Sequence, residues 1–185
     1  MKIISSLCLL LVAACAFFYT PTEARIPQAQ TMTDVAFDGT KVTKTNAQWK
    51  RLLTPAQYTV LRKDGTEAPY SHAYTKLKAK GNFHCAACKL AVFSSENKYD
   101  SKTGWPSFYQ PIAAANVTES EDTSNAMETR TEITCSRCGG HLGHVFKDGP
   151  EPTGLRYCMN GVALKFMPAA GSGTATKRRA TARRS

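Results

Sequence analysis

Two Cys-x-x-Cys pairs constrain this chain more than any other feature: Cys85-Ala86-Ala87-Cys88 and Cys135-Ser136-Arg137-Cys138. This spacing lets two thiolates on one tight turn face a common centre. Two such turns complete a tetrahedral site with sulfur about 2.3 Å from zinc. Gly139-Gly140 follows the second pair, so the backbone can turn closely there. The 46 residues between the pairs exceed the roughly 15–20 of a small zinc finger. The pairs therefore predict one Zn2+ clamping two distant hairpins, with no open coordination position and hence a structural role. Two other chemistries use the same residues. One is a redox-active dithiol, although no βαβ pattern surrounds these pairs. The other is a set of structural disulfides, which an oxidising compartment favours.

With 185 residues, the chain suits one ordinary domain. Its 7 Tyr, 8 Phe and 2 Trp supply a core and exclude wholesale disorder. Met1-Lys2, the apolar run from Ile3 to Tyr19 and the small-residue site before Arg25 predict a secretory signal peptide over residues 1–24. An uncleaved anchor and lipid attachment at Cys15 are the alternatives. Cleavage would remove Cys8 and Cys15 and leave five cysteines of the seven. Residues 25–44 are a polar, flexible lead-in, residues 45–168 the domain, and residues 169–185 a disordered basic tail. The formal charge is +10, but residues 25–173 carry only +5, so no specific nucleic-acid partner is expected. Asn116-Val117-Thr118 is an N-glycosylation sequon, meaningful in a eukaryotic secretory pathway.

Thr45-Asn46-Ala47-Gln48 and Thr54-Pro55-Ala56-Gln57 both read as capping boxes opening short helices. Trp49, Leu52 and Leu53 would form one apolar face, and Tyr58, Val60 and Leu61 another. Asp64-Gly65 is a turn signal. Beyond residue 82, short β-branched and aromatic runs alternate with Gly, Pro, Asn and Asp. Strands are predicted at Leu90–Phe93, Ala126–Thr134, His144–Phe146, Leu155–Met159 and Val162–Met167. The second of these alternates with a period of two, as a half-buried strand does. The fold class is mainly β.

Three clusters carry candidate chemistry. In a strand, Arg156, Cys158 and Asn160 share one face. An arginine beside a thiol stabilises the nucleophilic thiolate, although a buried, inert cysteine would look the same in sequence. His141, His144 and Asp148 offer two imidazoles that can deliver a proton near neutral pH and a carboxylate to orient them. Either histidine could instead ligate the metal or lie on the surface. Trp105 and Phe108, in Gly104-Trp105-Pro106-Ser107-Phe108, could line a small apolar group or simply pack in the core.

Taken together, these segments resemble the methionine-R-sulfoxide reductases of the B type over residues 45–168. The matching text is Arg62-Lys63-Asp64-Gly65-Thr66-Glu67, Cys85-x-x-Cys88, Lys98-Tyr99-Asp100-Ser101 and Gly104-Trp105-Pro106-Ser107-Phe108. It continues with Arg130-Thr131-Glu132, Cys135-x-x-Cys138, His141-Leu142-Gly143-His144-Val145-Phe146-x-Asp148-Gly149-Pro150 and Arg156-Tyr157-Cys158-x-Asn160. The resemblance implies two antiparallel β-sheets in a small barrel-like arrangement, short N-terminal helices and a structural zinc on Cys85, Cys88, Cys135 and Cys138. It implies that Cys158 attacks the sulfoxide sulfur and becomes a sulfenic acid. His144 and His141 would protonate the oxygen, with Asp148 orienting the histidine. Arg156 would lower the Cys158 pKa, Asn160 would hold the polar site, and Trp105 would touch the ε-methyl group. The substrate would be methionine-R-sulfoxide, preferentially in peptides or proteins, acted on by a monomer.

One position departs from the pattern. Many members carry a resolving cysteine just before the Gly-Trp-Pro-Ser-Phe segment; here it is Thr103. Thioredoxin, glutaredoxin or a small thiol would then reduce Cys158 directly. The rival readings are a non-enzymatic zinc module with a binding or chaperone-like role on a related fold, and a thiol hydrolase. The first has no use for the Cys158 and His144 clusters. The second leaves the cysteine pairs and the Trp105 segment without a purpose.

Overall fold

The structure is a computed structural model that describes residues 36–124 and 128–169. The expected signal peptide, the start of the lead-in, the Ala126–Met127 start of one predicted strand and the tail beyond Ala169 lie outside the described residues.

Both helices open as their sequences require. In α1 (Asn46–Leu52), the Gln48 amide donates to the Thr45 hydroxyl at 3.3 Å, and the Thr45 amide donates to Gln48 Oε1 at 2.8 Å. In α2 (Pro55–Lys63), Thr54 and Gln57 repeat the exchange, with Pro55 where its missing N–H costs nothing. α2 buries Tyr58, Val60 and Leu61 as expected, and Asp64 ends it in the left-handed conformation at φ 53°. The apolar face expected of α1 needs one correction. Trp49 and Leu53 are buried, but Leu52 is 61% exposed. The helix stops at Leu52, and Leu53 turns extended at φ −109°, which re-aims the side chains that follow.

All strand pairs are antiparallel. A three-stranded sheet has the order β2 (Ala91–Ser94), β1 (Gly81–Cys85), β9 (Leu164–Pro168). A six-stranded sheet runs β3 (Lys98–Tyr99), β4 (Ser107–Phe108), β8 (Arg156–Met159), β7 (His141–Phe146), β6 (Arg130–Cys135), β5 (Val117–Asp122). Four of these strands escaped the pattern reading. β5 reads Val-Thr-Glu-Ser-Glu-Asp, and its last five residues are exposed or only half-buried at the sheet edge. An edge strand with one apolar residue has no period to detect. β3 and β4 are two residues long, and β1 carries Gly and Asn.

Aromatic rings join the sheets. Phe93 of β2 stacks on Phe108 of β4 at 4.6 Å between centroids, and Phe83 of β1 meets Phe108 edge-on at 5.1 Å. Phe108 is therefore fully buried core, not the aromatic wall of a pocket. Asn116 is also fully buried. Its amide donates to the Ala91 carbonyl at 2.6 Å, and its Oδ1 accepts from the Phe37 amide at 2.7 Å. In the folded domain this sequon has no free amide to glycosylate. The described part of the lead-in is held rather than loose: besides Phe37, the Val42 amide donates to the Arg137 carbonyl at 2.8 Å, and Lys41 donates to the Ser136 carbonyl at 2.6 Å.

Phe108→Ala should cost about 3–5 kcal/mol of stability, as deletion of a buried ring does. The shift in the urea midpoint measures it, and a loss below 1 kcal/mol would remove Phe108 from the core.

Candidate active site

Cys85 ends β1 and Cys135 ends β6, so each sheet sends one cysteine pair to the same place. The two turns are built alike. The Cys85 amide donates to the Leu90 carbonyl at 2.8 Å and the Cys135 amide to the Gly140 carbonyl at 2.9 Å. The residue after each pair, Lys89 or Gly139, is left-handed at φ 67° or 63°. The four sulfurs lie within 4.8 Å of one another, with Cys85 to Cys138 at 3.7 Å and Cys88 to Cys135 at 3.4 Å. A tetrahedron of thiolates around a metal at about 2.3 Å places its sulfurs about 3.8 Å apart. The donor set fits a metal ion and forms no disulfide.

A second group crosses the six-stranded sheet along one line of register. Glu132 pairs with His144, His144 with Cys158, Cys158 with Ser107, and Ser107 with Tyr99. Cross-strand partners point to one face of a sheet, so these side chains are neighbours. His141 would ordinarily miss that face, because three residues along a strand is an odd number of steps. A bulge corrects the phase. Ile133 pairs with Gly143 but Thr134 pairs with His141, leaving Leu142 as the extra residue. Both histidines therefore face the same side, with rings 5.3 Å apart. Gly143 lets β7 approach β8, since a Cβ there would stand 2.2 Å from the Cys158 carbonyl oxygen.

Each imidazole meets its own carboxylate. His144 Nε2 donates to Asp122 Oδ2 at 2.7 Å, and Arg130 donates to the same oxygen at 2.7 Å. Ser124, His144 and Arg130 hold the Asp122 carboxyl well below the usual carboxylate range. His141 Nδ1 donates to Glu132 Oε1 at 2.6 Å, and its Nε2 is buried with no hydrogen-bond partner. The carboxylate expected to orient the histidine, Asp148, is elsewhere. It takes Arg156 in a two-pronged ion pair at 2.8 Å and 2.8 Å, and Arg156 lies 4.3 Å over the Phe146 ring. Strand direction explains the correction: β7 carries the chain away from His144 and ends at Phe146, so Asp148 lies beyond the strand beside Arg156, whereas Asp122 reaches across from β5.

Burial depresses the His144 pKa below its ordinary value, against the upward pull of Asp122. Burial pushes the Cys158 thiol up, while Thr103, Arg156 and Ser107 pull it down. Arg156 thus acts in the expected direction but does not win. The thiol sits 3.9 Å from Thr103 Oγ1, and Thr103, Ser101 and Ser107 form a hydroxyl chain with links of 2.8 Å and 2.7 Å through Ser101. The hydroxyl of Thr103 stands where a resolving thiol would.

Cys158 opens onto a hollow of about 120 Å3 lined by Thr66, Trp105, Arg130, Gly143, His144, Phe146 and Asn160. The structure thus brings Trp105, His144, Cys158 and Asn160 to one wall, with His141 packed behind it and Phe146 in the place expected for Phe108. Trp105 is fixed by its Nε1–H, which donates to the Glu67 carbonyl at 3.1 Å. Asn160 accepts from the Glu67 amide at 3.0 Å and donates to the Leu142 carbonyl at 3.1 Å. The Glu67 carboxylate in turn accepts from the Gly161 and Val162 amides at 2.6 Å and 2.9 Å. A thiol beside an imidazole at the mouth of a small hollow with aromatic walls can attack an electrophilic atom that carries an apolar substituent. The imidazole can protonate what departs.

Sequence reasoning missed Asp122, Arg130, Glu132, Glu67 and Phe146 as parts of this site. The alternation Arg130-x-Glu132 was the available signal, since it puts both on one face of β6. Asp122, on a polar edge strand, gave none.

The model of the SelR domain family matches residues 53–168. The peptide methionine sulfoxide reductase MsrB of Leptospira interrogans is 56% identical over 126 residues, covering 68% of this chain and 95% of the relative. The protein of that name in Pseudomonas putida is 51% identical over 132 residues, covering 71% and 98%. That of Methanosarcina barkeri is 55% identical over 125 residues, covering 68% and 87%. The chain belongs to the SelR-domain family, that of the methionine-R-sulfoxide reductases of type B.

Proposed function

We propose that this enzyme reduces methionine-R-sulfoxide, in peptides or proteins, to methionine. The observation that carries the reading is the register line itself, which sets the Cys158 thiol between His144 and Ser107 at the mouth of the Trp105–Phe146 hollow. The Cys158 sulfur attacks the sulfoxide sulfur, and the proton lost from the thiol passes through His144 to the sulfoxide oxygen. The protonated oxygen then passes to the Cys158 sulfur: the new S–S bond and the substrate S–O bond break, an S–O bond to Cys158 forms, methionine leaves, and Cys158 is left as a sulfenic acid. With Nε2–H given to Asp122, the other ring nitrogen of His144 carries the travelling proton. The aromatic rings hold the ε-methyl on one side and the proton donors lie on another, so one hand of the chiral sulfur is accepted.

The sulfenic acid returns to thiol through an external reductant: thioredoxin, glutaredoxin or a small thiol. Thr103 offers no sulfur, and the other four described cysteines are committed to one cluster. That cluster holds one structural Zn2+, and metal analysis of the purified protein should find one per chain. Zinc supplies folding energy there and no chemistry, because four thiolates leave no open position. The enzyme works as a monomer. Residues 1–24 direct it into the secretory pathway on the strength of their charged start and apolar run. N-terminal sequencing of mature protein should begin at Arg25.

With excess dithiothreitol, wild type should turn over the R epimer of methionine sulfoxide and leave the S epimer untouched, and Cys158→Ser should lose all turnover. Turnover of both epimers, or a Ser variant that still works, contradicts the assignment. The pH profile tests the proton path. His144 lies below its ordinary 6.5 and Cys158 above its ordinary 9.0, so between those values the imidazole is neutral and the thiol keeps its one proton. Attack needs that one proton, so kcat/KM should be level in between. It should fall below the His144 pKa, where the pair holds two, and above the Cys158 pKa, where it holds none. Asp122→Asn removes an upward pull on His144. It should lower kcat/KM by roughly 10–100-fold and move the acid limb to lower pH. An acid limb that stays in place would detach His144 from the step.

A further inference from the structure

The largest hollow among those described is not the one at Cys158. It is a groove of about 600 Å3 whose lining includes Lys76, Lys78, Lys98, Lys102, Tyr99 and Asp100. Four ammonium groups face one carboxylate there. Asp100 is taken by Lys102 at 2.7 Å, and Lys98 donates to the Thr75 carbonyl at 2.9 Å. Lys76 and Lys78 are exposed and form no ion pair among the described residues. Burial that lowers the Lys98 pKa adds a desolvated cation to the wall. Cations gathered in a concave site attract anionic ligands and speed their arrival.

This groove borders the nucleophile. Lys102 lines it, and the next residue, Thr103, places its hydroxyl 3.9 Å from Cys158 Sγ. Tyr99 lines it and continues the register line Cys158–Ser107–Tyr99, two strand spacings of about 4.8 Å away. The Tyr99 hydroxyl is buried without a hydrogen-bond partner, an unmet donor on a residue that lines the groove. The hollow that Cys158 itself lines is smaller, about 120 Å3, and shares no lining residue with the groove.

We propose that this groove binds the carboxylates of a small anionic thiol and directs its sulfur over Thr103 onto oxidised Cys158. The inference rests on the reading of Cys158 as the oxygen acceptor. The incoming thiol sulfur displaces the hydroxyl of the Cys158 sulfenic acid. A mixed disulfide forms, and water leaves with the thiol proton. A second molecule of the same thiol attacks the outer sulfur, releasing its disulfide and restoring the Cys158 thiol. Two thiols are oxidised for each sulfoxide reduced, so atoms and electrons balance.

The test compares glutathione, which carries two carboxylates, with neutral 2-mercaptoethanol, in wild type and in Lys76→Glu/Lys102→Glu. Neither lysine belongs to the catalytic machinery. The double variant should raise the KM for glutathione about tenfold and abolish its rise with salt. The KM for 2-mercaptoethanol and for the sulfoxide should not move. Equal effects on the two thiols, or no effect on either, overturn the proposal. So does a loss confined to turnover with reduced thioredoxin, which would make the groove a protein-docking face. Wild type that fails with 2-mercaptoethanol as well would instead overturn the reductase reading beneath it. A far-ultraviolet spectrum matching wild type excludes misfolding as the cause of any change.

Discussion

The four-thiol cluster is the constraint from which the rest of the structure follows. It ties the end of β1 in one sheet to the end of β6 in the other, and its turns fix what surrounds them. Arg62 of α2 donates to the Cys138 carbonyl at 3.0 Å, and the lead-in bonds to Ser136 and Arg137. β7 begins three residues after Cys138, so the knuckle sets where His141 starts and the bulge at Leu142 sets where His144 arrives. Cys158 is then placed by pairing, because β8 meets β7 with Cys158 opposite His144. A four-thiol cluster able to hold a metal ion thus helps to position the candidate site on the neighbouring strands.

His144 and Cys158 are tuned by opposing effects of similar kind. Burial disfavours charge on both His144 and Cys158, so it lowers one pKa and raises the other. The carboxylate of Asp122 and the guanidinium of Arg156 each pull against it. The result is a neutral pair with one proton to pass, which suits a reaction that begins and ends without net charge. Arg156 contributes through a fixed position: Asp148 grips it from the solvent side and Phe146 supports its flat face.

Much of this was legible in the residues. The capping boxes, the clustering of Cys85, Cys88, Cys135 and Cys138, and the shared segment of Cys158 and Asn160 follow from local chemistry or spacing, whereas the meeting of Cys158 with His144 and Trp105 was implied by the family resemblance. What was not legible depends on strand pairing. Asp148 looks like the partner of His144 because it is near in sequence, yet distance along a strand grows by about 3.3 Å per residue. Asp122 is remote in sequence and close across the sheet. Phe108 and Phe146 are both aromatic and both near candidate residues, and only the sheet decides which faces the core. The bulge that unites the histidines is a departure from regular period, and periodicity cannot predict its own exception.

In the proposed reaction the sulfoxide oxygen moves to Cys158 and waits there for an outside thiol. A single-turnover experiment without any reductant tests it most directly. Reduced protein is mixed with excess methionine-R-sulfoxide and quenched with a sulfenic-acid trap, and methionine and adducts are counted by mass spectrometry. One methionine released per chain and one trapped adduct, on Cys158, are expected. Release without an adduct there, or an intramolecular disulfide joining Cys158 to a cysteine of the metal cluster, would contradict it.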